Sequence, residues 1–234
     1  MTAIIRRELS AYFASPIGYV YLGVMYFFSG YFLFTGVLFS NRTDLTPVFS
    51  ALLTVVMFLT PILTMRLMTE DKRHRTDQAL LTAPVTLGAI VGGKFLAAAV
   101  VYTAGLSITL VYAVTLNFLA SVNWAIVWGN YIALLLLGAA FISIGQLVSS
   151  LTENQAIAAI GGFAVMLGLL LLDVIPSIVP NPRLAAILGE FSLIRRFTPI
   201  TSGILGFSNL FFFISVCGVF LFLTTRVLEK RRWS

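Results

Sequence analysis

The chain has little charge, one cysteine and one histidine. Of its 234 residues only 15 are Lys or Arg and 9 are Asp or Glu, a charged fraction of 10%, where a soluble domain carries about 25%. A single Cys217 and a single His74 exclude a disulfide framework and a Cys/His metal site. No Ser/His/Asp set, paired carboxylates or HExxH helix is present, so the chain has no visible means of covalent chemistry. What remains is apolar: 59% hydrophobic residues and a mean hydropathy of +0.99. This is the composition of an integral membrane protein, all-α because hydrocarbon leaves no other partner for backbone N–H and C=O groups.

Six segments are long and apolar enough to cross ~30 Å of hydrocarbon: Ile17–Phe39, Val48–Met65, Phe95–Phe118, Trp128–Val148, Ala156–Val174 and Asn209–Thr225. Lys and Arg are unevenly shared between the two sides. The N-terminus, the 66–94 loop and the C-terminus hold 11, and the other side holds Arg42, Arg183, Arg195 and Arg196. The positive-inside rule then places both termini in the cytoplasm. The net charge of +6 sits at span ends, where anionic lipid accounts for it, and it is not a nucleic-acid signal. Tyr19, Tyr21, Trp124, Trp128 and Trp233 suit interfacial belts.

Three non-spanning pieces stand out in this single transmembrane domain, residues 1–234. Residues 1–15 place Ile5, Leu9, Tyr12 and Phe13 on one helical face before Ser15-Pro16, which predicts an amphipathic helix in the inner interface. Residues 66–94 form a cytoplasmic loop, with Thr86 placed to cap the third span. Residues 176–207 form an outer segment of short helices. Pro176, Pro180 and Pro182 interrupt it, and Leu184, Ile187, Leu188, Phe191 and Ile194 recur at helical spacing.

Gly88–Lys94 has the glycine and lysine spacing of a phosphate-binding loop. However, Phe95 stands where Ser or Thr must ligate magnesium, and no strand precedes it. Close packing at Gly88 and Gly92 is expected instead, with Lys94 snorkelling to lipid phosphates. His74, inside a run of cations, reads as solvated. Asp173 is the carboxylate closest to an intramembrane position, and with Arg195 and Arg196 it forms a weak candidate contact for substrate or membrane lipid.

The most informative stretch is the loop itself. Seven charged residues fall between Arg66 and Asp77, whereas Ile17–Phe39 has none. Topology alone needs a few cations. It does not need Glu70, Asp71 and Asp77 interleaved with Lys72, Arg73 and Arg75, nor Leu80-Leu81 followed by Pro84. Mixed charge beside an apolar pair suits a protein partner.

Pro61–Ala97, with Glu70, the basic cluster, Thr76, Leu80-Leu81-Thr82-Ala83-Pro84 and Gly93-Lys94-Phe95-Leu96, resembles the first cytoplasmic loop of ABC-2-type permeases. Ser15–Tyr19 and the ending from Phe197 through Ser202-Gly203-Ile204 to Leu228-Glu229 and Trp233 resemble the gliding-motility-associated branch. The family usually has Gly-Thr where this chain has Arg75-Thr76, and an acidic residue where it has Gln78-Ala79.

The resemblance implies a bacterial inner-membrane permease subunit, an exporter, working as a dimer with a second copy or a sister permease. It also implies separate ABC ATPase subunits that bind the ATP and magnesium, leaving no cofactor on this chain. Glu70, Asp71, Lys72, Arg73, Arg75, Thr76, Asp77, Leu80, Leu81 and Pro84 would be the coupling residues. Two other classes stay open: a membrane scaffold that moves no substrate, and a self-sufficient secondary transporter, which would carry ionisable groups deep in its spans.

Overall fold

Ser15 and Pro16 part the first two helices. Ser15 is extended, and Pro16 opens the next helix at a position where its missing N–H costs nothing. The computed structural model describes residues 1–40, 43–73, 85–119, 121–178, 192–201 and 206–232. Helix α1 (Thr2–Ala14) precedes α2 (Pro16–Leu33), which runs on through a π-helical turn, Phe34–Leu38. Then come α3 (Thr46–Thr64), α4 (Arg66–Arg73), α5 (Leu87–Leu106), α6 (Ile108–Leu119), α7 (Trp124–Leu151), α8 (Gln155–Ile178), α9 (Leu193–Thr201) and α10 (Phe207–Arg232).

Among the described residues, six helical stretches are long and apolar enough to cross a membrane, and they match the six expected segments, the first ending at Leu38, one residue short of Phe39. The protein is an all-helical, multi-pass membrane protein. Two stretches extend beyond expectation. The second span continues through α3 into α4, and the third is a jointed rod, α5 then α6. At the joint the Ser107 hydroxyl donates to Ala104 O at 2.7 Å, the local back-bonding that bends helices. Thr86 caps α5, accepting from the Ala89 N–H at 3.3 Å, and Asn123 caps α7 in the same way through Ala125 N–H at 3.1 Å. Pro176, expected to break helix, lies within α8, two residues before its end at Ile178.

Helix α7 is the hub, packing on α3, α5, α8, α9 and α10. Its apolar window is 67% buried, against 11% for α10 and 17% for α8, so these two turn most of their surface outward. Lipid tails are as apolar as leucine, so close approach has to come from small residues. A Cβ at Gly138 would overlap the Tyr102 ring, and one at Gly145 would overlap Thr64. The buried Tyr102 hydroxyl donates to Leu134 O at 2.6 Å.

Six crossings return the C-terminal end of α10 to the side where α1 begins. This terminal face also holds α4, the start of α5 and the α7–α8 link, as ion pairs among these elements show.

One expectation fails here. Tyr21 is not in an interfacial belt but in the core, against the surface of Gly105. On α1, Glu8 and Tyr12 are buried, Ile5 and Leu9 are half-buried and Phe13 is exposed. The inward side of α1 packs on α5, where Ile4 lies close enough for a Cβ on Gly93 to touch it. The expected residues at Pro180, Pro182, Leu184, Ile187, Leu188, Phe191 and Trp233 lie outside the described residues.

Candidate functional site

Helix α4 continues the second span beyond its apolar part, so its residues emerge where α1, α5 and α7 converge. Lys94, about two turns inside α5, is only 2% exposed. Its ammonium lies 2.6 Å from Asp71 of α4 and 2.9 Å from Glu8 of α1. Arg7 bridges the same two carboxylates, at 2.8 Å from Glu8 and 3.1 Å from Asp71. Two cations and two anions thus close a compact cluster across three helices. A buried charge is tolerated only when paired in this way. The expected contact of Lys94 with lipid phosphate is therefore corrected: two carboxylates occupy the ammonium.

A second set of contacts surrounds Arg66. Its guanidinium pairs with Glu70 at 2.7 Å, donates to Ala11 O at 3.1 Å and to the Ser15 hydroxyl, and lies 5.1 Å from the centroid of the Tyr12 ring. The planar fork reaches carboxylate, carbonyl and ring at once, which an ammonium could not do. Tyr12 in turn donates to Leu63 O at 2.8 Å, and burial raises its phenol far above the ordinary value, so it stays a donor.

A third set ties α4 to α7. The Lys72 ammonium donates to Ser150 O and, at 3.2 Å, to Thr152 O, satisfying carbonyls at the C-terminal end of α7 where the helix dipole favours a cation. The Ser149 hydroxyl accepts from Met68 N–H and donates to Met65 O, both at 3.1 Å, across the α3–α4 junction. Gln146 donates to Val91 O at 3.0 Å, joining α7 to α5.

The predicted loop residues therefore divide. Asp71 and Lys72 face inward and hold the root of the loop. Glu70 is partly exposed while paired with Arg66, and Arg73 is exposed. His74, Arg75, Thr76, Asp77, Leu80, Leu81 and Pro84 lie outside the described residues. Beside Arg73 a depression of about 670 Å3 opens on the terminal face, lined by Met65, Arg73 and Glu153–Ala156. Glu153 at its rim pairs with Arg231 near the end of α10.

Arg7, Glu8, Arg66 and Lys94 were not assigned to a site from sequence. One signal was available: Glu8 shares the helical stripe of Ile4 and Tyr12, an odd place for a carboxylate without a partner. Lys94 carried the matching anomaly, a cation one residue before an apolar span.

On the opposite face, Asp173 in the last turns of α8 accepts from the Ser192 hydroxyl, just before the start of α9. The Ser192 oxygen also accepts from Arg195 N–H at 2.9 Å. Arg196 donates to the Ser208 hydroxyl at 3.1 Å and lies 5.3 Å from the centroid of the Phe212 ring. These three predicted residues do come together, around the N-terminus of α9. No group of His, Cys, Asp and Glu suited to a metal occurs among the described residues.

A membrane helix bundle with its polar contacts gathered at one end of the second span is a general description, and comparison makes it specific. The model of a family described as ABC-2 family transporter protein matches residues 39–233, most of the chain. The chain belongs to the ABC-2 transporter family. No curated protein matches it. As an ABC-2 chain it is a transmembrane permease subunit, of a family that generally works with an ABC ATPase partner. The matched region includes α4 and the residues after it, and begins after α1, α2 and the π-helical turn.

Proposed function

We propose that this chain is the permease of a bacterial inner-membrane ABC exporter, forming its path as a dimer and driven by ATPase subunits seated beneath α4 and the segment that follows. The observation that carries this reading is the three-way anchoring of α4. Asp71 holds it to α1 and α5, Arg66 to α1, and Lys72 with Ser149 to α7. A push on the loop cannot be absorbed by α4 alone. It displaces α1 and the inner ends of the third and fourth spans together, as a rocking transition requires. The ATPases bias that transition only by binding its two states differently.

Exposed Arg73 and the adjoining depression supply surface for such a partner, and Glu70, Arg75, Thr76, Asp77, Leu80, Leu81 and Pro84 complete the proposed coupling element. ATP and magnesium would reside on the partner. The sequence at both ends favours the gliding-motility-associated branch, and the cation bias favours cytoplasmic termini.

The test is reversal of the outward charges. Arg73→Glu with Arg75→Glu should leave membrane insertion intact and sharply reduce copurification of the ATPase. Unchanged copurification and unchanged ATP turnover would remove the assignment.

A further inference from the structure

Helix α1 presents two different sides. The inward side meets α4, through Arg7 at Asp71 and through Tyr12 and Ala11 O at Arg66. The other side carries a shallow depression of about 430 Å3, lined by Thr2, Ile5, Arg6, Leu9, Ser10 and Phe13 of α1 itself. Ile5, Leu9 and Phe13 follow one another at intervals of four and make an apolar stripe. Arg6 and Ser10 form its polar margin.

The neighbours of α1 fix its level in the bundle. It ends at Ala14, and the first span opens at Pro16. At its start, Met1 and Ile4 lie against Gly92 and Gly93 of α5. Near its end, Tyr12 donates to Leu63 O in the last turn of α3. Helix α1 therefore lies across the span ends on the terminal side, at headgroup level. The Phe13 ring meets the Tyr19 ring edge-on, with centroids 5.7 Å apart. Tyr19 and Val20 are exposed on the first span, so the stripe on α1 continues the lipid-facing surface of α2.

Charge separates the two sides as well. Glu8, the one carboxylate on α1, is buried with Lys94 and Arg7. Arg7 is held by Glu8 and Asp71. Arg6 is exposed and has no carboxylate partner among the described residues. The depression thus pairs an apolar stripe with an unneutralised guanidinium at the membrane surface.

We infer that α1 senses lipid charge: an anionic phospholipid of the leaflet on the terminal side docks with its acyl chain on Ile5, Leu9 and Phe13 and its phosphate at Arg6. The stripe accounts for the chain, its continuity with α2 for the leaflet, and Arg6 for the anionic headgroup. A lipid that binds the seated α1 more tightly than a displaced one shifts the population toward the seated form. Because the inward side of α1 holds Asp71 and Arg66, an anionic membrane then stiffens α4 as well. The inference rests on the coupling role proposed for α4, but its test needs no ATPase.

Hydrogen exchange tests it, on the full chain in nanodiscs of phosphatidylcholine alone or mixed with phosphatidylglycerol. Phosphatidylglycerol should slow amide exchange in both α1 and α4, by about fivefold for one cation. Arg6→Gln should lose that difference, and Arg6→Lys should keep most of it. Arg226→Gln, a cation on the same face but outside α1, should leave it unchanged. Equal exchange in the two membranes would overturn the inference, as would protection confined to α1. So would an equal loss in Arg226→Gln, which would make the effect diffuse charge, or the same protection from inorganic phosphate added to phosphatidylcholine discs.

Discussion

The Lys94 ammonium lies 2.6 Å from the Asp71 carboxylate, joining the first turns of the third span to the helix that prolongs the second. Because Glu8 shares the same ammonium, α1 is part of the joint. Removing one partner of a buried pair strands the other charge, which costs more than the pair itself contributes. Lys94→Met should therefore destabilise the protein by about 3 kcal/mol, read as a lowered unfolding temperature in detergent. Adding Glu8→Gln should recover part of the loss, because one stranded charge is then gone. Additive losses in the double variant would contradict the coupling.

Arg66 offers a separate probe of the same joint. Arg66→Lys keeps the charge but cannot span Glu70, Ala11 O and Tyr12 at once. We expect normal insertion with a loss of about 1–2 kcal/mol. Tyr12→Phe, which deletes only the bond to Leu63 O, should cost about 1 kcal/mol. A neutral Arg66→Lys variant would show that the stacked geometry contributes nothing.

Close packing of α7 can be tested at Gly145. Its missing Cβ makes room for Thr64, so Gly145→Ala should lower stability by about 1–3 kcal/mol. Thr64→Ala in the same chain removes Oγ1, the nearest atom, and Cγ2 while keeping Cβ, and should restore part of it. Absence of rescue would place the strain elsewhere.

Much of this was legible in the sequence, for identifiable reasons. The six spans follow from apolar length, which hydrocarbon thickness demands. The Thr86 cap follows from local hydrogen bonding. The inward roles of Glu8, Asp71, Lys72 and Lys94 were not legible, because each is defined by a partner tens of residues away, and charge in a polar loop reads by default as solvated. Tyr21 was misplaced for a related reason: an aromatic near a span end looks interfacial until Gly105 is seen to leave it a seat in the core.

Orientation has its own test. In a Cys217→Ser background, single cysteines at Thr2 and Lys230 should be labelled by an impermeant maleimide only after the membrane is opened. Cysteines at Asp44 and Ser121 should be labelled in intact cells. The reverse pattern would invert the topology that the Lys and Arg bias implies.

The central claim is that the anchored α4 element is driven by an ATPase. Its most direct test is gentle-detergent purification of the tagged wild-type chain from its native membrane, with every accompanying subunit identified and its stoichiometry measured. The account predicts a soluble subunit with Walker motifs, one per permease chain, and ATP turnover that the permease stimulates. Recovery of the chain alone, or only with copies of itself and without ATP turnover, would contradict it.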